Sequence, residues 1–158
     1  MYVLDTCAFL SQKHPDGKLI TISQIEAEIQ NKQSLQYFLN LKEIGLEIKE
    51  PTKRNLEIIK SNAEKTGDLD VLSDTDQKIL AIAHETKATI VSDDFAIQNV
   101  ALYMNLEYIS CSGKIIKELR KWKYILLLKG GGAFFADSLW KLVKEMFSQE
   151  KWGDEQYK

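Results

Sequence analysis

Short strand-like segments alternate with longer segments of helical periodicity along residues 1–122, and this alternation constrains the fold most strongly. Tyr2–Leu4 is wholly apolar, as expected of a strand covered on both faces. Thr89–Val91 is a second predicted strand, while 52–65 and 74–87 have the apolar spacing of helices. Alternation at these lengths implies βαβ crossovers. We therefore predict an α/β fold, a three-layer α/β/α sandwich around a parallel sheet of about four or five strands.

The other predicted elements follow from turn and capping residues. Ser23 with Glu26 three residues later forms a capping-box pattern, which predicts a helix through about residue 30. The remaining predictions are a loop over 11–18, a helix from about residue 35 that ends at Gly45, a helix over 96–104, and strands around 46–48 and 106–109.

The character of the chain changes after Cys111. We place a compact domain at 1–122 and an appendage at 123–158, which contains a glycine hinge at 130–132. Residues 133–149 have the apolar stripe of an amphipathic helix. Such a stripe would dock on its own domain or join two copies into a homodimer.

Charge and cysteine content exclude several classes of protein. The net charge of −2 excludes a polycation that holds nucleic acid by bulk electrostatics. Cys7 and Cys111 are far apart in sequence and form no CxxC motif, so they predict neither a zinc knuckle nor a redox pair. An acid at position 5 predicts that the chain has no secretory signal. The longest apolar run, 124–128, is too short to span a membrane. We expect a cytoplasmic protein without membrane contact.

Acidic residues occur where predicted strands end and helices begin. Asp5 ends the first strand, and Asp93 and Asp94 follow the strand Thr89–Val91. Asp76 lies in the first turn of the helix over 74–87, and Glu28 lies in the helix over 23–30. The carboxyl ends of parallel strands share one edge of the sheet. We therefore expect residues 5, 28, 76 and 94 to converge in one cleft.

A cluster of carboxylates is stable at neutral pH when a divalent cation occupies it. Oxygen ligands favour Mg²⁺ or Mn²⁺ over zinc, so we expect one or two such ions and no zinc. An ion held in this way can activate water for attack on a phosphodiester. Each acid also has a structural explanation by itself, such as a helix-dipole role for Asp76. The prediction rests on the four acids together.

Four segments around these acids resemble the motifs of PIN-domain ribonucleases. They are Val3–Phe9, Thr21–Ile29, Leu72–Ala83 and Ile90–Phe95. In that family the strand-ending Asp is a metal ligand, which the resemblance assigns to Asp5. The resemblance selects Glu28 over Glu26, because the family's acid stands directly before an aliphatic residue, here Ile29.

The same resemblance assigns the other acids and their supporting residues. It places the third acid at Asp76 and prefers Asp94 to Asp93 as the fourth, with Asp93 left as an additional metal ligand. The supporting positions are Thr6, Ser73 and Ser92. The implied activity is endonucleolytic hydrolysis of RNA to a 3′-hydroxyl and a 5′-phosphate.

Ser92–Ala101 resembles the Nob-type subgroup, which trims the 3′ end of precursor small-subunit ribosomal RNA. This resemblance implies precursor ribosomal RNA, or the small ribosomal subunit, as the partner. Trp122–Tyr124 resembles the segment that precedes a zinc ribbon in archaeal members, but no cysteine follows it here. Two alternatives stay open: a VapC-like toxin ribonuclease, and a PIN-like module that binds RNA or protein without catalysis.

Basic and aromatic residues around position 120 form a candidate RNA-binding patch. Its members are Lys117, Arg120, Lys121, Trp122 and Lys123. The alternative is a solvated amphipathic helix in which Ile115, Ile116 and Leu119 are buried.

Overall fold

The computed structural model describes residues 1–120, which contain one five-stranded parallel sheet. The strands are β1 (Tyr2–Leu4), β2 (Leu19–Thr21), β3 (Glu47–Ile48), β4 (Thr89–Val91) and β5 (Tyr108–Ile109). Their order across the sheet is β3-β2-β1-β4-β5, and every neighbouring pair is parallel. The predicted α/β class and its parallel sheet are confirmed.

Within residues 1–120, six helices cover the sheet. They are α1 (Thr6–Leu10), α2 (Gln24–Glu28), α3 (Lys32–Glu43), α4 (Lys53–Thr66), α5 (Asp74–Thr86) and α6 (Phe95–Tyr103). Helix α1 packs on α3, whereas α4, α5 and α6 pack on one another with α5 against β1 and β4. The result is the predicted three-layer α/β/α arrangement. Helix α1 was not predicted, because a five-residue helix is too short to show an apolar period.

Capping residues fix both ends of α4 and the start of α5. Helix α4 begins after Thr52, whose hydroxyl accepts from the backbone N–H of Asn55, and it ends at Gly67 with a left-handed φ of 82°. Helix α5 begins with a capping box. Ser73 accepts from the backbone N–H of Asp76, and the Asp76 carboxylate accepts from the backbone N–H of Ser73.

The capping box predicted at Ser23 and Glu26 is wrong. Helix α2 does begin after Ser23, but the Ser23 side chain makes no capping hydrogen bond. Its hydroxyl instead donates to Glu50, which also accepts from the backbone N–H of Ser23 at 3.2 Å. Glu50 lies just after β3, so a tertiary contact overrides the local pattern.

Apolar side chains from both helical layers meet the sheet. Phe9 of α1 and Phe38 of α3 are fully buried and pack edge to face, with ring centroids 5.2 Å apart. On the other side Ile79 and Leu80 of α5 are fully buried as well. This packing holds the helices rigidly at the edge of the sheet that carries the acids.

The direction in which strands are added reverses between β1 and β4. Strands β2 and β3 extend the sheet on one side of β1, and β4 and β5 extend it on the other. Leu4 is in register with Val91, so the loops after β1 and β4 leave the sheet side by side. Such a reversal is where open α/β sheets bind ligands, outside the carboxyl ends of the strands.

Part of the predicted organisation lies outside the described residues. The first compact unit spans Met1–Lys121. The appendage at 123–158, its glycine hinge, its amphipathic helix and the homodimer stay predictions. Within residues 1–120, no helix combines the length and apolar character needed to cross a membrane.

Candidate active site

Asp5 and Asp94 lie side by side at the reversal point of the sheet. Asp5 directly follows β1, and its backbone N–H donates to the carbonyl oxygen of Val91 at 3.1 Å. Asp94 follows β4 by three residues and caps helix α6. The parallel pairing of the two strands therefore brings together acids that are 89 positions apart in sequence.

Asp5 is the most buried of the four clustered acids, with 8 % of the residue exposed. Its Oδ1 atom accepts from the backbone N–H of Thr6 at 2.7 Å, and its Oδ2 atom accepts from the hydroxyl of Ser92 at 2.6 Å. Burial raises the pKa of Asp5 to about 6, although both hydrogen bonds oppose the rise. The negative charges of Asp76 and Asp94 raise it further.

Asp76 faces the same cluster from the first turn of α5. Burial raises the pKa of its carboxyl group, and the charges of Asp94 and Glu28 add to this effect, while the hydrogen bonds of Ser73 oppose it. The Oδ2 atom of Asp76 accepts from the backbone N–H of Ser73 at 2.8 Å. Within residues 1–120 no hydrogen bond uses Oδ1, so that oxygen is available to a ligand.

Two threonine hydroxyls orient the carboxylate of Glu28, the last residue of α2. Thr6 donates to Oε2 at 2.8 Å, and Thr75 donates to Oε1 at 2.5 Å. Thr75 was missed by the sequence analysis, although it stands directly before Asp76 in a matched motif. The contacts place Thr6, one of the predicted supporting residues, between Asp5 and Glu28.

The two adjacent acids after β4 differ in their surroundings. Asp94 uses Oδ1 to accept from the backbone N–H groups of Ala96 and Ile97 at 2.7 and 3.3 Å, and its own N–H donates to the Ser92 hydroxyl at 3.1 Å. The fully buried Ser92 thus contacts both Asp5 and Asp94. The structure places Asp94 with the cluster.

Asp93 turns instead toward the segment after β5. Its Oδ1 atom accepts from the hydroxyl of Ser110 and from the backbone N–H of Ser112 at 3.1 Å. Burial raises the pKa of Asp93, but the hydrogen bonds from Ser110 and the backbone of Ser112 outweigh it, so the pKa lies below its usual value. Asp93 contacts these residues rather than the four clustered acids.

The donor set of the cluster suits a hard divalent cation. The ion pairs of the described chain are Lys18–Glu47, Lys42–Glu26, Lys49–Glu47 and Lys78–Glu50, and none of them involves the four clustered acids. No three of those acids bring ligand atoms within 4.8 Å of one another in residues 1–120. Mg²⁺ usually keeps several of its waters, so a bound ion would contact some of these carboxylates directly and others through water.

Comparison with known proteins shows the family to which the chain belongs. Residues 2–86, which carry Asp5, Glu28 and Asp76, match the family described as the PIN domain of ribonuclease. The chain belongs to the PIN-domain ribonucleases. Asp94 lies beyond the matched range.

Several curated PIN relatives cover most of the chain. Endoribonuclease Nob1 of Pyrococcus abyssi is 32 % identical over 126 residues, which are 79 % of this chain and 76 % of that protein. Endoribonuclease Nob1 of Archaeoglobus fulgidus is 33 % identical over 84 % of this chain and 80 % of that protein. Ribonuclease VapC1 of Thermoplasma acidophilum is 38 % identical over 78 % of this chain, and the match spans 64 % of that protein.

The two cysteines, which are far apart in sequence, lie together in the structure. The Sγ atoms of Cys7 and Cys111 are 3.5 Å apart, and both thiols are free. Their shared hydrogen bond lowers the pKa of the Cys111 thiol to about 7 and raises that of Cys7. The sequence held one indication of this proximity: each cysteine follows the carboxyl end of a predicted strand.

The segment after β5 is not the amphipathic helix offered as an alternative for it. Over 111–120 the backbone is non-helical, and Ile116 is buried while Ile115 and Leu119 are exposed. Buried Gln98 and Asn99 hold this segment. Gln98 donates to the carbonyl of Lys114 and accepts from the backbone N–H of Ile116, and Asn99 bonds both backbone groups of Arg120.

Only part of the candidate RNA patch can be located. Lys117 is exposed, and the Arg120 guanidinium lies over the ring of Phe95, 5.8 Å from its centroid. Phe95 directly follows Asp94 in sequence. Lys121, Trp122 and Lys123 lie outside the described residues.

Proposed function

We propose that this chain is an endoribonuclease that depends on Mg²⁺ or Mn²⁺. Asp5, Asp76 and Asp94 hold one or two ions, and Glu28 acts as a further ligand or as the base that orients water. The observation that carries the proposal is the convergence of these carboxylates, whose negative charges repel one another. The Ser92 hydroxyl joins Asp5 to the loop of Asp94, and within residues 1–120 no ion pair neutralises the four acids. A bound divalent cation relieves this repulsion.

The chain's own groups position the reacting partners. When bound, the ion polarises the phosphodiester and activates water. Thr6 and Thr75 fix both oxygens of Glu28, so that this carboxylate is held for one orientation of a water molecule. Ser92 fixes the position of the Asp5 carboxylate relative to the loop that carries Asp94. The products are a 3′-hydroxyl and a 5′-phosphate.

Precursor small-subunit ribosomal RNA is the substrate we propose. The support comes from the Nob1 relatives, of which the chain covers 76 % and 80 %. The buried Gln98 and Asn99 add to it, because they belong to the segment that resembles the Nob-type subgroup and they fix the backbone of residues 114–120. Lys117 lies within residues 114–120 and is exposed, so it can contact RNA phosphates.

A second candidate is a VapC-like ribonuclease that cuts other RNAs. The observation that favours it is the 38 % identity to VapC1 of Thermoplasma acidophilum. The two candidates share the four acids and differ in substrate, so only a comparison of RNAs distinguishes them.

The test is cleavage of end-labelled RNA by the full chain with Mn²⁺, with Mg²⁺ and with EDTA. One RNA spans the 3′ end of small-subunit ribosomal RNA, and a second RNA of equal length is unrelated. We expect metal-dependent cleavage that the double substitution Asp5→Asn, Asp94→Asn reduces about 100-fold or more, since an ion supplies several kcal/mol to the transition state. Asp74→Asn is the matched control, because Asp74 is an exposed acid in the same helical turn as Asp76.

The outcomes separate the hypotheses. Preferential cleavage of the ribosomal RNA supports the Nob-type substrate, and preferential cleavage of the unrelated RNA supports the VapC-like alternative. Binding without cleavage under all metal conditions indicates a non-catalytic module. Cleavage that survives in the double variant overturns the proposed site.

A further inference from the structure

Three potential metal ligands meet beside the carboxylate cluster without belonging to it. Cys7 comes from α1, Asp93 from the loop after β4, and Cys111 from the segment after β5. One ligand atom from each lies within 4.8 Å of the others, and all three residues are partly buried. The two sulfur atoms are 3.5 Å apart. The fold thus joins three separate segments at one point.

The carboxylate of this trio is already oriented by other groups. Asp93 accepts from the hydroxyl of Ser110 and from the backbone N–H of Ser112. Hydrogen bonds of this kind, made to a ligating carboxylate from outside the ligand set, fix its direction and support metal affinity. The roles proposed for the four clustered acids do not require Cys7, Asp93 and Cys111 to lie together.

We propose that Cys7, Cys111 and Asp93 form a binding site for a thiophilic divalent cation, with Zn²⁺ as the expected ion. Two cysteine sulfurs and one carboxylate oxygen are ligands that zinc takes in tetrahedral sites, with water as the fourth ligand. Mg²⁺ and Mn²⁺ prefer the all-oxygen cluster, so the two sites select different ions by ligand softness. The expectation that no zinc binds rested on the oxygen ligands of the four acids and on the absence of a CxxC motif, whereas this site is assembled from residues that are distant in sequence.

The sulfur separation fits an ion better than a direct bond. Zn–S bonds of about 2.3 Å at a tetrahedral angle place two sulfurs about 3.8 Å apart. The observed 3.5 Å is within a few tenths of an ångström of that value. A disulfide of about 2.05 Å would require the sulfurs to approach by about 1.5 Å. A disulfide would also not explain why the Asp93 carboxylate lies beside the two sulfur atoms.

The ion would stabilise the backbone that carries two catalytic acids. Cys7 is two residues after Asp5, and Asp93 directly precedes Asp94. Binding at the trio therefore ties the ends of β1 and β4 to the segment after β5. The ion is a structural one, and its site exists whether or not the chain cleaves RNA.

The test is a titration of the reduced full chain with Co²⁺, after a thiol assay has confirmed two free thiols. Cobalt bound to thiolate gives a sulfur-to-metal charge-transfer band in the near ultraviolet, which carboxylate ligands do not give. We expect this band in the wild type and its loss when Zn²⁺ is added. Cys7→Ser and Cys111→Ser each weaken the band and the affinity. Ser110→Ala, which keeps all three ligands, lowers the affinity about 10- to 100-fold.

Two further variants show which site binds the cobalt. Asp93→Asn weakens binding, whereas Asp74→Asn, its exposed control, does not. The double variant Asp5→Asn, Asp94→Asn keeps the band although it loses nuclease activity, so failure of one proposal is distinguishable from failure of the other. Circular dichroism verifies that each variant is folded. A reduced, folded wild type that gives no band with excess Co²⁺ overturns the proposal, as does a band unchanged in Cys7→Ser.

Discussion

Replacing Asp5 with Asn is expected to stabilise the metal-free protein at neutral pH while abolishing its proposed activity. Asp5 is buried beside Asp76 and Asp94, and its carboxylate form is disfavoured there. Asn is neutral and nearly the same size. Its carbonyl oxygen can still accept from the backbone N–H of Thr6, so little packing is lost.

The magnitude follows from the shift in pKa. A rise from 3.8 to about 6 corresponds to about 3 kcal/mol, since one unit is worth about 1.4 kcal/mol. Ionised Asp5 destabilises the folded state at high pH, because the folded state binds the proton of this group more tightly than the unfolded state does. The free energy of unfolding of the wild type should therefore fall by up to about 3 kcal/mol from this group as pH rises from about 4 to above 6. Asp5→Asn removes that dependence.

Urea denaturation in EDTA, repeated from pH 4 to pH 8, measures the effect. The unfolding free energy of Asp5→Asn minus that of the wild type should become more positive as pH rises. Asp16→Asn, in an exposed loop, is the control and should show no such trend. Adding Mg²⁺ at pH 8 should stabilise the wild type more than Asp5→Asn. A difference that is flat with pH, or that moves against the variant, would refute the reasoning.

Three other substitutions probe contacts of single side chains. Thr75→Val removes a hydrogen bond to Glu28 and should lower kcat about 10- to 100-fold with little change in KM, measured by initial rates of RNA cleavage. Gln98→Leu breaks buried hydrogen bonds, including one to Lys114, and should cost about 1–3 kcal/mol in urea denaturation. Phe38→Ala empties a fully buried position and should cost about 3–5 kcal/mol, measured by thermal unfolding.

Each of these predictions has a contradicting result. An unchanged kcat in Thr75→Val would mean that the orientation of Glu28 does not limit the reaction. A fully stable Gln98→Leu would show that the segment over 114–116 is held by other contacts. A small effect of Phe38→Ala would mean that α3 is packed less tightly than its burial indicates.

The fold class was readable from the sequence because the relevant pattern is local. A buried strand requires a short apolar run, and a helix requires apolar residues at a period of 3.6, whatever the rest of the chain does. The boundaries of β1 and β4 were predicted as the structure has them. Local pattern failed at Ser23, whose hydroxyl contacts Glu50, a residue 27 positions away.

The candidate site was only partly readable. Asp5 and Asp94 could be found because each follows a strand, and a parallel sheet puts all such positions at one edge. The strand pattern could not separate Asp93 from Asp94, since both follow the same strand, and the preference for Asp94 came from the family resemblance. In the structure the hydrogen bonds from Ser110 and Ser112 turn Asp93 away. Thr75 was missed for the same reason, because its partner Glu28 lies 47 positions away.

The sequence by itself therefore determined the alternation of strands and helices, the parallel sheet and the edge at which the acids lie. Tertiary structure alone decided the strand order, with β1 beside β4. That order placed the acid pair at the reversal point and brought Cys7 within 3.5 Å of Cys111. The physical reason is that strand neighbours are selected by packing between distant segments. A local apolar repeat of two or 3.6 residues indicates a strand or a helix, but it does not determine which segments will pair.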